Sequence, residues 1–162
     1  MRNDAKALVI DNELLTVDVK PPGNWLTIID KASQKAFITD GNFGTTGGTA
    51  KIIDVTDPKF GAGKGIQVAY TNGDFDLVMV FPKLPFALIR SSIRNGGSTP
   101  AVTRVARPFQ AEVNLGKPAS ALTTLGTGGL LAADKNPGSY DWLAVADPAT
   151  RNGVVFGWLT IK

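Results

Sequence analysis

Turn-forming clusters recur roughly every eight to twelve positions along this chain, among them Pro21-Pro-Gly-Asn24, Lys31-Ala-Ser-Gln34, Asn72-Gly73, Asn95-Gly-Gly-Ser98 and Pro137-Gly-Ser139. Punctuation that dense leaves little room for helices and fits many short strands. The runs between the clusters agree. Leu15, Val17 and Val19 alternate with Thr16, Asp18 and Lys20, the period of a strand with one buried face. Trp25 to Asp30 and the segment around Phe37-Ile38 continue an antiparallel meander, and Lys51 to Val55 reads as a further short strand. Ile66 to Thr71 and Asp74 to Phe81 flank Asn72-Gly73, which predicts a hairpin, most simply with a type I′ turn and positive φ at Gly73. Phe86 to Ile93, Ala101 to Ala106 and Pro108 to Leu115 extend the set, the last with Phe109, Ala111 and Val113 on one face. The stretches Asp40 to Thr49, Thr56 to Lys64 and Lys117 to Gly129 read as loops.

The expected fold is therefore all-β, an antiparallel β-sandwich with roughly a dozen short strands. At 162 residues and 43% hydrophobic content the chain supports one domain over residues 1–162, or part of a larger sandwich that continues past Lys162. Its last block is apolar on both faces. Tyr140, Trp142 and Ala144 alternate with Leu143 and Val145, and Val154, Phe156 and Trp158 alternate with Val155, Leu159 and Ile161. A strand apolar on both sides is covered on both sides, so these strands lie under a loop layer or meet a partner domain. Trp158, inside an unbroken apolar run, is expected to be buried, and Trp142 to sit nearer a covered edge.

Cysteine and histidine are both absent. That removes disulfides, thiol nucleophiles, cysteine-ligated metals and every catalytic device built on an imidazole. Net charge is only +3, from 17 basic and 14 acidic residues scattered without a basic run, so no nucleic-acid partner is expected. The longest apolar run, Leu77-Val-Met-Val-Phe81, is too short to span a bilayer, and Ala7-Leu-Val-Ile10 is too short for the core of a signal peptide. The expectation is a soluble domain with no membrane role, or a secreted or periplasmic one lacking its leader.

Gly61-Ala-Gly-Lys-Gly65 and Gly44-Thr-Thr-Gly-Gly-Thr-Ala-Lys51 resemble phosphate loops only superficially, because neither has the required spacing nor a helix behind it. Both are read as turns. Asp54, Asp57, Asp74 and Asp76 lack the spacing of a calcium loop, and Asp74 and Asp76 are expected to share the solvated face of one strand. No metal, cofactor or catalytic residue is assigned. Sugars present apolar C–H faces that stack on aromatic rings, which makes Trp25, Tyr70, Tyr140, Trp142 and Trp158 candidates for a carbohydrate platform; of these Tyr140 and Trp142 are assigned to carbohydrate binding, with Asp141, Arg151 and Asn152 as polar contacts. An Asp147–Arg151 pairing that stabilises a turn explains the same residues structurally.

The block Ser139-Tyr-Asp-Trp-Leu-Ala-Val-Ala-Asp-Pro148, followed by Arg151-Asn-Gly-Val-Val-Phe-Gly-Trp-Leu-Thr160, resembles the N-terminal β-sandwich of α-galactosidase-like (melibiase-type) glycoside hydrolases. Asp11 to Val19, Leu26 to Lys31 and Phe86 to Asn95 are similar to the opening strands of that domain, so the resemblance covers roughly residues 8–160. It implies a supersandwich-like, non-catalytic accessory domain packed on a (β/α)8 barrel whose catalytic aspartates lie beyond Lys162, shaping the mouth of the sugar-binding cleft. A free-standing carbohydrate-binding module and a structural coat or adhesion sandwich, either of them able to form homo-oligomers, are the alternative readings.

Overall fold

A computed structural model of the chain describes residues 6–102 and 107–159. Within them lie thirteen strands, all antiparallel, in three sheets, with two short 3-10 turns at Ala119–Ala121 and Ala133–Lys135 and no α-helix. No helix among the described residues is long and apolar enough to cross a membrane. The chain divides into two compact units, Met1–Glu112 and Val113–Lys162.

The first unit is a sandwich of two sheets. One has the order β1-β2-β3-β4-β9, with β1 at Leu8–Asp11, β2 at Leu15–Lys20, β3 at Trp25–Asp30, β4 at Lys35–Asn42 and β9 at Gln110–Val113. The other runs β5-β6-β7-β8, from Thr49–Asp57 through Gly61–Ala69 and Phe75–Val80 to Ala87–Ser92. Register decides what is buried. Ile10, Val17 and Ile38 fall on one face with Val19 and Leu26, and Ile66 pairs with Val78 while Val68 and Val80 share their face. All of these are buried, and together with Phe43, Leu77 and Phe81 they form the core.

Several local expectations shift. The Gly61–Gly65 run is not a turn but the first half of β6. Its glycines serve packing: a Cβ on Gly63 would lie 2.5 Å from the carbonyl oxygen of Val80 and 2.7 Å from the ring of Phe81. Gly44 to Lys51 leads from an open loop into β5 with no helix behind it. Ala101 and Val102 are not in a strand, and the rest of the Ala101–Ala106 strand lies outside the described residues.

The Asn72-Gly73 hairpin is present between β6 and β7, with φ at +88° for Gly73. Its turn type differs from the simplest expectation. The Gly73 N–H donates to the Tyr70 carbonyl at 3.1 Å and the Tyr70 N–H to the Asp74 carbonyl at 3.0 Å. Asn72 does not have positive φ, so this is a three-residue loop, Thr71-Asn72-Gly73, with glycine alone in the left-handed region. Asp74 seats the loop by accepting the Arg94 N–H at 2.6 Å. Gly73→Val is expected to cost about 1–2 kcal/mol or more, since a β-branched residue is strained there and its Cβ would meet the Arg94 side chain at 3.0 Å. An unchanged urea midpoint would contradict that turn geometry.

The second unit is one sheet of order β11-β10-β12-β13, comprising Gly129–Ala132, Thr123–Gly126, Trp142–Ala146 and Gly153–Gly157. The stretch expected to be a loop thus contains β10, which is short and carries two threonines. Its core is thin. Leu122 and Val145 are its only buried apolar side chains among the described residues, with buried Thr124 held by Asn136 at 2.7 Å and by the Leu131 carbonyl at 3.2 Å.

Candidate functional site

The sugar-contact candidates lie at two ends of the second unit's sheet. Tyr140, Asp141 and Trp142 lead into β12, held by Ser139, whose hydroxyl donates to the Trp142 carbonyl and accepts the Thr127 N–H at 2.9 Å. The Tyr140 N–H in turn donates to the Thr127 hydroxyl at 3.1 Å. All three side chains are exposed, Tyr140 to 87%. Arg151 and Asn152 belong to the hairpin turn between β12 and β13, at the far end of β12. Four residue steps along that strand separate Trp142 from Ala146, roughly 13 Å at about 3.3 Å per step. The five candidates therefore form no single cluster.

The turn at Arg151 is built differently from an Asp147–Arg151 ion pair. Asp147 is buried, and its carboxylate accepts the Ala149 N–H at 2.9 Å and the Thr150 hydroxyl at 2.9 Å. These hydrogen bonds hold its carboxyl below the usual carboxylate range. Arg151 contributes its backbone, with φ at +61° and its N–H donating to the Asp147 carbonyl at 2.8 Å, while its side chain is exposed.

Trp158 also departs from expectation. It is 54% exposed, more than Trp142 at 42%. Although the apolar run continues through Leu159, β13 ends at Gly157, so Trp158 falls just past the last paired strand residue, tied by its N–H to the Asp141 carbonyl at 2.9 Å.

Register explains what the closing strands bury and what they leave open. Leu131, Thr124, Val145 and Val154 lie in one row across the sheet, and this face is buried or half-buried. The opposite face carries the row Leu130, Leu125, Ala144 and Val155, with Trp142 one step along beside Gly157. Leu125, Leu130, Trp142 and Val155 are all exposed, Val155 to 71%. Both faces are apolar, but no loop layer among the described residues covers the second.

The first unit has an open cleft of about 560 Å³, lined in part by Asp11, Glu13, Lys31, Asp54 and Lys64. Its acids are engaged. Lys31 pairs with Asp11, Lys64 pairs with Asp54 at 2.5 Å, and Glu13 accepts the Lys83 N–H at 2.8 Å. That hydrogen bond, foremost, pulls the Glu13 carboxyl below its ordinary range. A glycosidase acid needs the opposite shift, so Glu13 is poorly suited to the role. No group of three or more acidic residues suited to a metal ion occurs among the described residues.

Asp76 is not on a solvated face. Pairing places it between Val68 and Ser91, on the same side of β7 as Val78 and Val80, and it is buried. Its carboxylate accepts the Tyr70 hydroxyl at 2.7 Å and the Ser91 hydroxyl. Burial, then the Asp76 carboxylate, raises the Tyr70 phenol well above its ordinary pKa of about 10. The folded state thus holds a proton that the unfolded chain releases at lower pH. The stabilisation is complete below pH ~10 and is lost as pH climbs toward the raised value. Tyr70→Phe should flatten this alkaline decline in thermal melts, and curves that stay parallel above pH ~10 would count against the linkage.

No protein-family model, curated protein or solved structure matches the chain.

Proposed function

We propose that this chain is a non-catalytic accessory β-sandwich of an α-galactosidase-like glycoside hydrolase, docking on a catalytic barrel and shaping the entrance to its sugar cleft. One observation carries the reading: the uncovered apolar face of the second unit, where Leu125, Leu130, Trp142 and Val155 stand exposed over a core of two buried apolar residues. An apolar stripe crossing a whole sheet marks an interaction surface. Each such side chain contributes about 1.5–3 kcal/mol when fully covered. The resemblance of residues 8–160 to the sandwich of that family names the kind of partner. A second reading, carbohydrate binding by this unit itself, is favoured by the open Tyr140 ring beside Asp141 and Trp142.

The reading frame downstream of Lys162 is expected to continue into a barrel-like βα pattern. In the intact protein, the double substitution Leu125→Lys and Leu130→Lys should lower the stability of the assembly by ~2 kcal/mol or more. The same pair should leave the melting of the separate chain nearly unchanged, because both side chains are exposed there. The separate chain should not turn over chromogenic α- or β-glycosides. Turnover abolished by a single Asp or Glu substitution in this chain would overturn the proposal. Oligosaccharide binding by the separate chain, lost in Trp142→Ala, would establish the second reading instead.

A further inference from the structure

The four sheet edges of the first unit are all marked by charge: β1 carries Asp11, β5 carries Lys51, Asp54 and Asp57, β8 carries Arg90 and β9 carries Glu112. Charged side chains on an edge discourage pairing with another strand. β13, an edge of the second unit's sheet, has no such protection. Its sequence is Gly153-Val-Val-Phe-Gly157, without charge, proline or an irregularity in its pairing to β12.

Its backbone is aimed outward in a regular pattern. Hydrogen-bonded pairs alternate along an antiparallel ladder. The Asp147 N–H donates to the Asn152 carbonyl at 2.9 Å and the Trp158 N–H to the Asp141 carbonyl at 2.9 Å, which sets the phase between β12 and β13. Val154 and Phe156 therefore turn their N–H and C=O groups toward β12, and Gly153, Val155 and Gly157 turn theirs to the open edge.

We propose that this edge is a homodimer interface, in which β13 pairs antiparallel with β13 of a second copy about a two-fold axis through Val155. The strand is self-complementary in that register. Val155 meets Val155, with two reciprocal N–H to C=O bonds, and each Gly153 meets a Gly157 with two more. Val154 comes opposite Phe156 on the other face, an apolar pair. The nearest charge, Arg151, falls opposite Leu159 of the second copy instead of another arginine. The axis stands perpendicular to the sheet, so the two four-stranded sheets join into one of eight with their apolar rows end to end. Such pairing uses the same patch on both copies and closes at two. The other edge strand, β11, is a weaker candidate, because its four residues run straight into the turn that bears Asp134 and Lys135.

Sedimentation equilibrium of the chain at tens of micromolar should show a dimer. Val155→Lys sets two ammonium groups directly against each other, and Val155→Pro removes the outward N–H without touching the β12 ladder. Each should raise the dimer dissociation constant by more than about tenfold. Val155 is 71% exposed, so Val155→Lys should keep the wild-type circular dichroism spectrum. In the wild type, hydrogen exchange at the Val155 amide should slow as concentration rises. A monomer at all concentrations, a dimer that survives both substitutions, or open-ended oligomers would each overturn the proposal. The test uses the separate chain, so its outcome is independent of docking on a barrel.

Discussion

Phe81→Ala is expected to lower the unfolding free energy by about 3–5 kcal/mol, a large share of the ~5–15 kcal/mol available to a typical domain. Phe81 is fully buried. Its ring packs on Phe60 with centroids 5.6 Å apart, and Phe60 meets Phe86 edge-on at 5.5 Å. The missing side chain of Gly63 makes room for it, so truncation leaves a cavity bounded by β6, which can close only by moving paired backbone. Urea unfolding checks this directly. A loss below about 1 kcal/mol would mean that the site collapses freely, contrary to the packing described.

Asn12→Ala should be the second costly change, at about 2–4 kcal/mol, because one side chain satisfies four backbone groups. Its amide donates to the carbonyls of Phe81 at 2.6 Å and Leu84 at 2.9 Å, and its oxygen accepts the N–H groups of Leu14 at 2.8 Å and Leu15 at 2.7 Å. It thereby ties the β1–β2 turn to the segment that leaves β7. Asn12→Asp separates the two halves of this role. The carboxylate still accepts from Leu14 and Leu15 but faces two carbonyl oxygens with no hydrogen to donate. Its deficit relative to wild type should shrink at low pH, where the protonated acid regains one donor. A deficit independent of pH, or an alanine variant as stable as wild type, would count against the assignment.

These two residues differ in how readily the chain discloses them. Phe81 closes an apolar run and invites a core assignment, whereas Asn12 in Asp11-Asn-Glu13 reads as one polar turn residue among many. Asn and Asp side chains often bond to backbone two or three residues on, which would have flagged the local half of its role. The distant half, to Phe81 and Leu84, exists only once β1 and β7 are brought together. Asp76 gives the same lesson. The spacing Asp76, Val78, Val80 already puts it on an apolar face, yet its proximity to Asp74 made a solvated pair the simpler reading.

The sugar-contact residues divide along the same line. Tyr140, Asp141 and Trp142 stay together because they are adjacent in sequence, but Arg151 and Asn152 are carried to the other end of the sheet by the length of β12 between them. Trp158 lies outside because β13 stops one residue earlier. Nine positions of sequence separate Trp142 from Arg151, but an extended strand spends them on length, so the two ends of β12 lie roughly 13 Å apart.

Local periodicity and turn chemistry were enough to establish the all-β antiparallel class, the meander from β2 to β4, the hairpin at Asn72-Gly73 and the two apolar faces of the closing strands. These features depend on alternation and on the left-handed freedom of single residues, both of which are properties of a few consecutive positions. Tertiary structure alone decided that the strands form three sheets in two units, that buried Asp76 and half-buried Asn12 each hold a hydrogen-bond network, and that, among the described residues, one face and the β13 edge of the second unit stand uncovered. Each of those depends on which strand lies beside which. Pairing between distant strands is set by the burial of whole faces at once, a quantity that no short window of sequence contains.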